Sequence, residues 1–391
     1  MIIYAIIILL TTILAYMVTV VEKKTKNKVI IYLLKILAIL FPSIIAGIRF
    51  GVGTDYLGVY EPFFEEVLNG NIAQRSREFE IGYVLINRIV ILFGGNFNIV
   101  MFICSLITNA FIYLGLDYYK DKINVPLAYF FYMILFYQRT FNLVRQMMSI
   151  AIVFYAFKFL DIKDREEETK REYIFYIIKQ IIKYLSFVII ASLFQRTTLI
   201  MLAIPCILFV YRKPKYKILK ISSYIILLTI ILNFSVIGDL LSKSEKLKYY
   251  AFYFSKKGAT SLSITYLIRI LPSILPYFLL RKEIDKDEQI SMLYGVNIIG
   301  CILILLAYFT NTYGERIALF FNIFQVILFS YYITKLKTFN KKKVFWVVST
   351  SIILVNCVIW YNDYILKGRD ETLPYRTIFS KEYKEHKLNE G

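Results

Sequence analysis

Long apolar runs separated by short polar segments recur from one end of the chain to the other. About twenty such residues cross about 30 Å of hydrocarbon as a helix. The pattern predicts about twelve transmembrane helices, at 2–21, 30–48, 97–116, 125–138, 144–160, 184–195, 198–211, 218–237, 263–280, 290–309, 317–334 and 344–362. Several of these are shorter than twenty residues and imply tilt or local thinning of the bilayer. Residues 81–93 are apolar but short, and predict an outer re-entrant or interfacial segment. The turn "QRTT" at 195–198 divides 184–211 into a hairpin of two short helices. The expected architecture is an all-α polytopic membrane protein forming one integral domain over 1–391.

Charge orients this pattern. The net charge of +19 at first suggests nucleic acid, but the basic residues are gathered in short loops between apolar runs. The densest are "EKKTKNK" (22–28), "YRKPKYKILK" (211–220) and "KLKTFNKKK" (335–343). Basic short loops mark the cytoplasmic side, so no nucleic-acid partner is expected. On the same count 117–122, 161–183 and 281–288 are cytoplasmic, and both termini lie outside. Three segments then face outward: the loop 49–80, the loop 238–262 and the tail 363–391. The N-terminal run has no basic residue ahead of it and no small-residue cleavage site, so it reads as a retained helix.

Composition narrows the chemistry. With a single histidine, His386, no histidine-built metal or haem site is expected, and no metal at all. The four cysteines, Cys104, Cys206, Cys301 and Cys357, all fall in apolar runs and read as buried free thiols. The DxD triplet Asp285–Asp287 lies in a short charged turn without a nucleotide-binding domain, and there is no Walker motif.

Ionisable groups at membrane depth are costly and draw attention first. Arg49, Arg139, Arg145, Arg196 and Arg316 all fall at the outer ends of predicted helices. Arg145, Arg196 and Arg316 each stand near a helix N-terminus, where free N–H groups and the helix dipole favour anions. A guanidinium adds a planar fork suited to phosphate oxygens. Taken singly, each arginine also fits simple snorkelling. Asn142, Arg145 and Ser149 follow helical spacing, as do Glu80, Tyr83 and Asn87. A single polar stripe faces either a wet cavity or a neighbouring helix. Asp55 and Glu80 flank the external loop, and either carboxylate is a candidate general base. Glu65 and Glu66 read instead as the solvated face of a short helix whose other face is Phe63, Phe64, Val67 and Leu68.

Four stretches occur in a recognisable order: "IRFGVGTDYLGVY" (48–60), "EFEIGYVLIN" (78–87), "YQRTFNLVRQMMSIAI" (137–152) and "IIASLFQRTTLIML" (189–202). Together they resemble the EpsG family of Wzy-like polymerases of exopolysaccharide and capsule repeat units. The likeness continues weakly through "NTYGERIALFF" (311–321) and "PYRTIF" (374–379). The family pattern maps onto Arg49, Gly53, Thr54, Asp55, Tyr56 and Tyr60, onto Glu80, Gly82 and Tyr83, and onto Asn142, Arg145 and Gln146. The family usually has histidine where this chain has Gln195, so any role of that histidine is either missing here or moved to Arg196.

The resemblance implies transfer of a growing glycan from polyprenyl diphosphate to a hydroxyl of a new lipid-linked repeat unit. The implied setting is the outer face of a bacterial cytoplasmic membrane, during exopolysaccharide, capsule or O-antigen synthesis. Asp55 or Glu80 is then the catalytic carboxylate. Arg49, Tyr56, Tyr60, Tyr83, Asn142, Arg145, Gln146, Arg196 and Arg316 are the expected diphosphate- and glycan-binding residues. No cofactor is implied. The expected partners are polyprenyl-diphosphate-linked oligosaccharide, membrane lipid and other polysaccharide assembly proteins. The rivals are a flippase for the same lipid-linked oligosaccharide, a ligase sharing the chemistry, and a structural subunit of an assembly complex.

Overall fold

The computed structural model describes residues 2–25, 27–70, 79–162, 169–205, 242–243, 264–309, 313–339 and 342–390. The expected helix at 218–237, the part of that at 198–211 from residue 206 onward, the loop "YRKPKYKILK" and Cys206 lie outside these residues. Among the described residues the chain is helical, with one isolated antiparallel bridge between Arg49 and Thr377. It divides into two compact units, residues 1–200 with 356–391, and residues 201–355.

The first unit contains α1 (Ile2–Lys24), α2 (Lys28–Gly47), α3 (Glu61–Leu68), α4 (Ile81–Leu92), α5 (Phe97–Tyr118), α6 (Val125–Tyr132), α7 (Arg139–Asn142), α8 (Val144–Ala156) and α9 (Lys170–Ser192). Asparagines open several of them: Asn27, Asn96 and Asn124 accept from the first free N–H groups of α2, α5 and α6. Thr169 and Glu172 form a capping box at the start of α9. The core lies where α5 packs against α2 and α8, with α1 against α2 and α6. Most of α6 and α8 is buried, whereas α1, α2 and α9 expose rows such as Leu9, Leu10 and Ile13, or Phe175, Ile178 and Ile182. Apolar surface of this extent fits a lipid environment.

The second unit holds α10 (Ile264–Lys286), α11 (Glu288–Phe309), α12 (Tyr313–Asn322) and α13 (Gln325–Thr338). Helix α11 packs on α10 and α12, and α10 on α13. Helix α14 (Lys342–Trp360) starts in this unit, and from Asn356 onward its residues belong to the first. A π-helical turn, Tyr361–Leu366, extends it, and α15 (Lys381–Glu390) closes the chain.

Six helices among the described residues are long and apolar enough to cross a membrane. A seventh is obtained if α12 and α13, bent by 42°, count as one span. This makes the chain an all-helical membrane protein, with fewer spans established than the twelve expected. Two differences have physical causes. Residues 170–183, expected in a cytoplasmic loop, belong to α9. Their polar residues are interspersed among apolar ones along the helix, and Lys183 reaches over the Phe159 ring at 5.5 Å. The expected spans 125–138 and 144–160 are short, buried helices whose apolar character is spent on protein contacts. Near the expected turn at 195–198, α9 ends at Ser192 and a 3-10 helix runs from Arg196 to Ala203. Residues 81–92 form a separate twelve-residue helix, α4.

Candidate functional site

The loop between α2 and α3 begins at Arg49, which is 2% exposed. Its Nη1 donates to the Ala46 carbonyl (2.6 Å), its Nε to Val52 (3.2 Å), and its Nη2 to Phe141 (3.3 Å). The guanidinium also lies 4.5 Å from the centre of the Phe141 ring. The expected phosphate-binding fork is therefore turned into the protein, where it ties three backbone segments together. Tyr56, also buried, donates to the Arg49 carbonyl (3.1 Å) and accepts from Asn98 (3.3 Å). It too holds the loop.

Gly53 has φ +104°, and a Cβ there would stand 2.7 Å from the Phe141 carbonyl oxygen. Only glycine meets both demands. The close approach is to the turn between α7 and α8, not to open space. The two helices are separate because the backbone breaks at Leu143 (ψ 47°). Asn142 and Arg145 are thus on different helices, and the single stripe expected from their spacing does not form. Ser149 donates to the Ala191 carbonyl of α9 (2.9 Å), the helix-to-helix contact that was the alternative reading of that stripe.

The break nevertheless brings the key side chains to one place. The Asp55 N–H donates to Asn142 Oδ1 (3.1 Å). The Tyr60 hydroxyl donates to the Asn142 carbonyl (3.3 Å) and receives a hydrogen bond from the Arg145 side chain. Burial pushes the Tyr60 phenol above its ordinary value, with the Arg145 charge opposing and the Asp55 charge reinforcing the shift. Tyr60 is accordingly a neutral hydroxyl that feels a carboxylate and a guanidinium together.

Arg145 lies over the Phe79 ring, 4.4 Å from its centre, and is paired through Nη1 with Glu80 Oε2. The other Glu80 oxygen accepts the Arg196 N–H (3.1 Å). Arg196 therefore contributes its backbone, while its side chain is exposed. Both oxygens of Glu80 are thus engaged, one by Arg145 and one by the Arg196 N–H. The contact of α4 with the turn after α9 depends on Gly82, whose N–H donates to the Leu193 carbonyl (2.7 Å) and whose Cβ would collide with it. Tyr83 packs among Phe79, Tyr60 and Phe63, and Gln146 is buried on α8.

Asp55, Tyr60, Glu80, Asn142 and Arg145 thus form one connected network. Arg49 and Tyr56 shape the loop behind it. Arg316 lies half-buried in the second unit on α12, next to Glu315, which pairs with Arg269 (3.3 Å). Helix α3 buries Phe63, Phe64 and Val67 as expected, but Leu68, expected on the same face, is exposed, and Glu65 and Glu66 are half-buried. Cys104 and Cys301 are buried free thiols, and Cys357 is half-buried.

The sequence reading missed the segment 369–378. It runs alongside the α2–α3 loop, with the Phe50 N–H donating to Arg376 O (3.0 Å) and the Ile378 N–H to Ile48 O (2.9 Å). Tyr4 and Gln138 anchor it through Thr372, each at 2.8 Å. From it, Asp370 reaches Asn142 Nδ2 (3.2 Å) and pairs with Arg139 (3.5 Å). The only signal for this in the sequence was the weak likeness at 374–379.

No curated protein and no solved structure shows significant similarity to the chain. The sequence model of the EpsG family, in contrast, matches residues 32–377, a range that includes every element of the network just described. On that match the chain belongs to the EpsG family.

Proposed function

We propose that the chain is a metal-independent membrane glycosyltransferase that polymerises polyprenyl-diphosphate-linked oligosaccharide repeat units at the outer face of the bacterial cytoplasmic membrane. Family membership supports a polysaccharide polymerase-like role. The observation that carries the finer reading is the meeting of the Asp55 loop and Arg145 around the Tyr60 phenol and Asn142.

In this reading a hydroxyl of the incoming repeat unit attacks the anomeric carbon of the growing glycan. The new carbon–oxygen bond forms as the bond to the diphosphate oxygen breaks. Asp55 takes the hydroxyl proton, a contribution typically worth about a hundred- to ten-thousandfold. Polyprenyl diphosphate leaves with the bonding electrons, and its charge is stabilised by Arg145, already oriented by Glu80 and Phe79. Glu80 acts as the orienting group and not as the base, because both its oxygens are engaged. The exposed Arg196 side chain adds a second cation for the same leaving group.

The glycan profile of a deletion strain tests this reading. Surface or lipid-linked glycan limited to single repeat units supports the polymerase. Repeat units trapped on the inner leaflet with none outside support a flippase instead.

A further inference from the structure

Asp370 and its neighbour Glu371 have φ of +58° and +48°. Two adjacent non-glycine residues in the left-handed region are uncommon. Such strain persists only where the surroundings impose it, and it is concentrated at functional positions. Here it aims three groups of one dipeptide at the same target. The Asp370 carbonyl accepts the Thr54 N–H (3.2 Å), and the Glu371 carbonyl accepts the Gly53 N–H (3.2 Å). The Asp370 carboxylate accepts from Asn142 Nδ2. The next N–H of the loop, that of Asp55, goes to the other end of the same Asn142 amide. Three consecutive N–H groups, at Gly53, Thr54 and Asp55, are therefore set directly or indirectly by one residue pair.

The chemistry of the amide makes this a directional link. A carboxylate only accepts hydrogen bonds, so the Asn142 NH2 must face Asp370 and its oxygen must face the Asp55 N–H. Without the carboxylate, nothing on that side selects one amide orientation over its flip, and the flip would set an NH2 against the Asp55 N–H. Arg139, paired with Asp370, helps hold the carboxylate at that spot.

We propose that Asp370 is a positioning residue for Asp55, acting through Asn142 and through the backbone of the loop. The inference deepens the polymerase reading and rests on it for its kinetic consequence. Its structural part is independent of that reading.

The test uses the full-length protein in proteoliposomes. The probe is the lipid-linked repeat unit extracted from a strain lacking this chain. Asp370→Asn keeps the size and the tolerance for positive φ, and removes the charge. Asp370→Gly relieves the backbone strain and removes the side chain. Both are expected to keep the wild-type unfolding temperature or raise it. Both should lower kcat by about ten- to a hundredfold, the range over which slight misplacement of a reacting group acts, and should leave KM within about twofold. In a parallel set, Thr54→Cys reports loop position by its rate of reaction with a membrane-impermeant maleimide. That rate should rise several-fold when Asp370 is also replaced. Wild-type kcat in Asp370→Asn overturns the proposal, as does a kcat loss matched by a fall in unfolding temperature. If the wild-type protein makes no polymer, the polymerase reading fails and the labelling decides alone: faster labelling upholds Asp370 as the holder of the loop, and an unchanged rate rejects it.

Discussion

Arg49→Lys separates a structural arginine from a substrate-binding one. In the structure the guanidinium makes hydrogen bonds to three carbonyls through three different nitrogens, at 2.6, 3.2 and 3.3 Å, and lies over the Phe141 ring. A lysine keeps the charge, but its donors radiate from a single atom and cannot reach all three carbonyls. At least one buried carbonyl then loses its charged partner. A hydrogen bond to a charged group contributes about 1.5–3 kcal/mol, and weakening of the cation–π contact adds about 0.5–2 kcal/mol. The expected loss is thus about 2–5 kcal/mol of stability. The assay is thermal unfolding of the detergent-solubilised protein, followed by size-exclusion chromatography, beside the glycan chain length of the same strain. Polymer length should fall only as far as the folded protein does, and should recover partly on growth at lower temperature. An Arg49→Lys protein with the wild-type unfolding temperature and no polymer refutes the reasoning, and returns Arg49 to the role of a phosphate ligand.

Other expectations follow from the same geometry. Arg145→Lys preserves charge but loses the fork set between Phe79 and Glu80, and should cut polymerisation at least about tenfold with little change in folded yield, read by gel profile and size-exclusion peak height. Gly82→Ala drives a Cβ into the Leu193 carbonyl and the Phe194 ring, a clash expected to cost about 1–3 kcal/mol and visible as a lower unfolding temperature. Ser149→Ala removes one contact between α8 and α9, and should cost about 1 kcal/mol while leaving chain length unchanged.

Much of the site was legible in the sequence because its parts are local. The run from Arg49 to Tyr60, the Glu80–Tyr83 turn and the Asn142–Arg145 pair each sit within a few residues, next to glycines whose demands are visible. What each group does was less legible. An arginine at the end of an apolar run looks the same whether it faces phosphate or three carbonyls, and only burial tells the two apart. The break at Leu143 falls between the expected helices 125–138 and 144–160, yet the spacing of Asn142, Arg145 and Ser149 read as one stripe running across it. Helix α9 was shortened in the reading because lysines within 170–183 were counted as loop, although long stems let them stay on a membrane helix. Asp370 was beyond reach for a different reason: it lies 228 residues after Asn142 in a polar tail, and nothing local ties such a residue to the α2–α3 loop. The all-helical membrane fold needed only the long apolar runs, while the number of spans depended on helices too short and too buried for hydropathy to classify.

The most direct measurement of the central claim is polymerisation by the purified protein in proteoliposomes, with lipid-linked repeat units as the sole substrate and chelator present throughout. The account predicts a ladder of glycans on the lipid carrier and one polyprenyl diphosphate released per bond formed. The ladder should disappear in Asp55→Asn, a substitution that leaves the loop and its hydrogen bond to Asn142 in place. Repeat units that cross the bilayer without ever being joined, or an Asp55→Asn protein that builds the ladder at the wild-type rate, would contradict it.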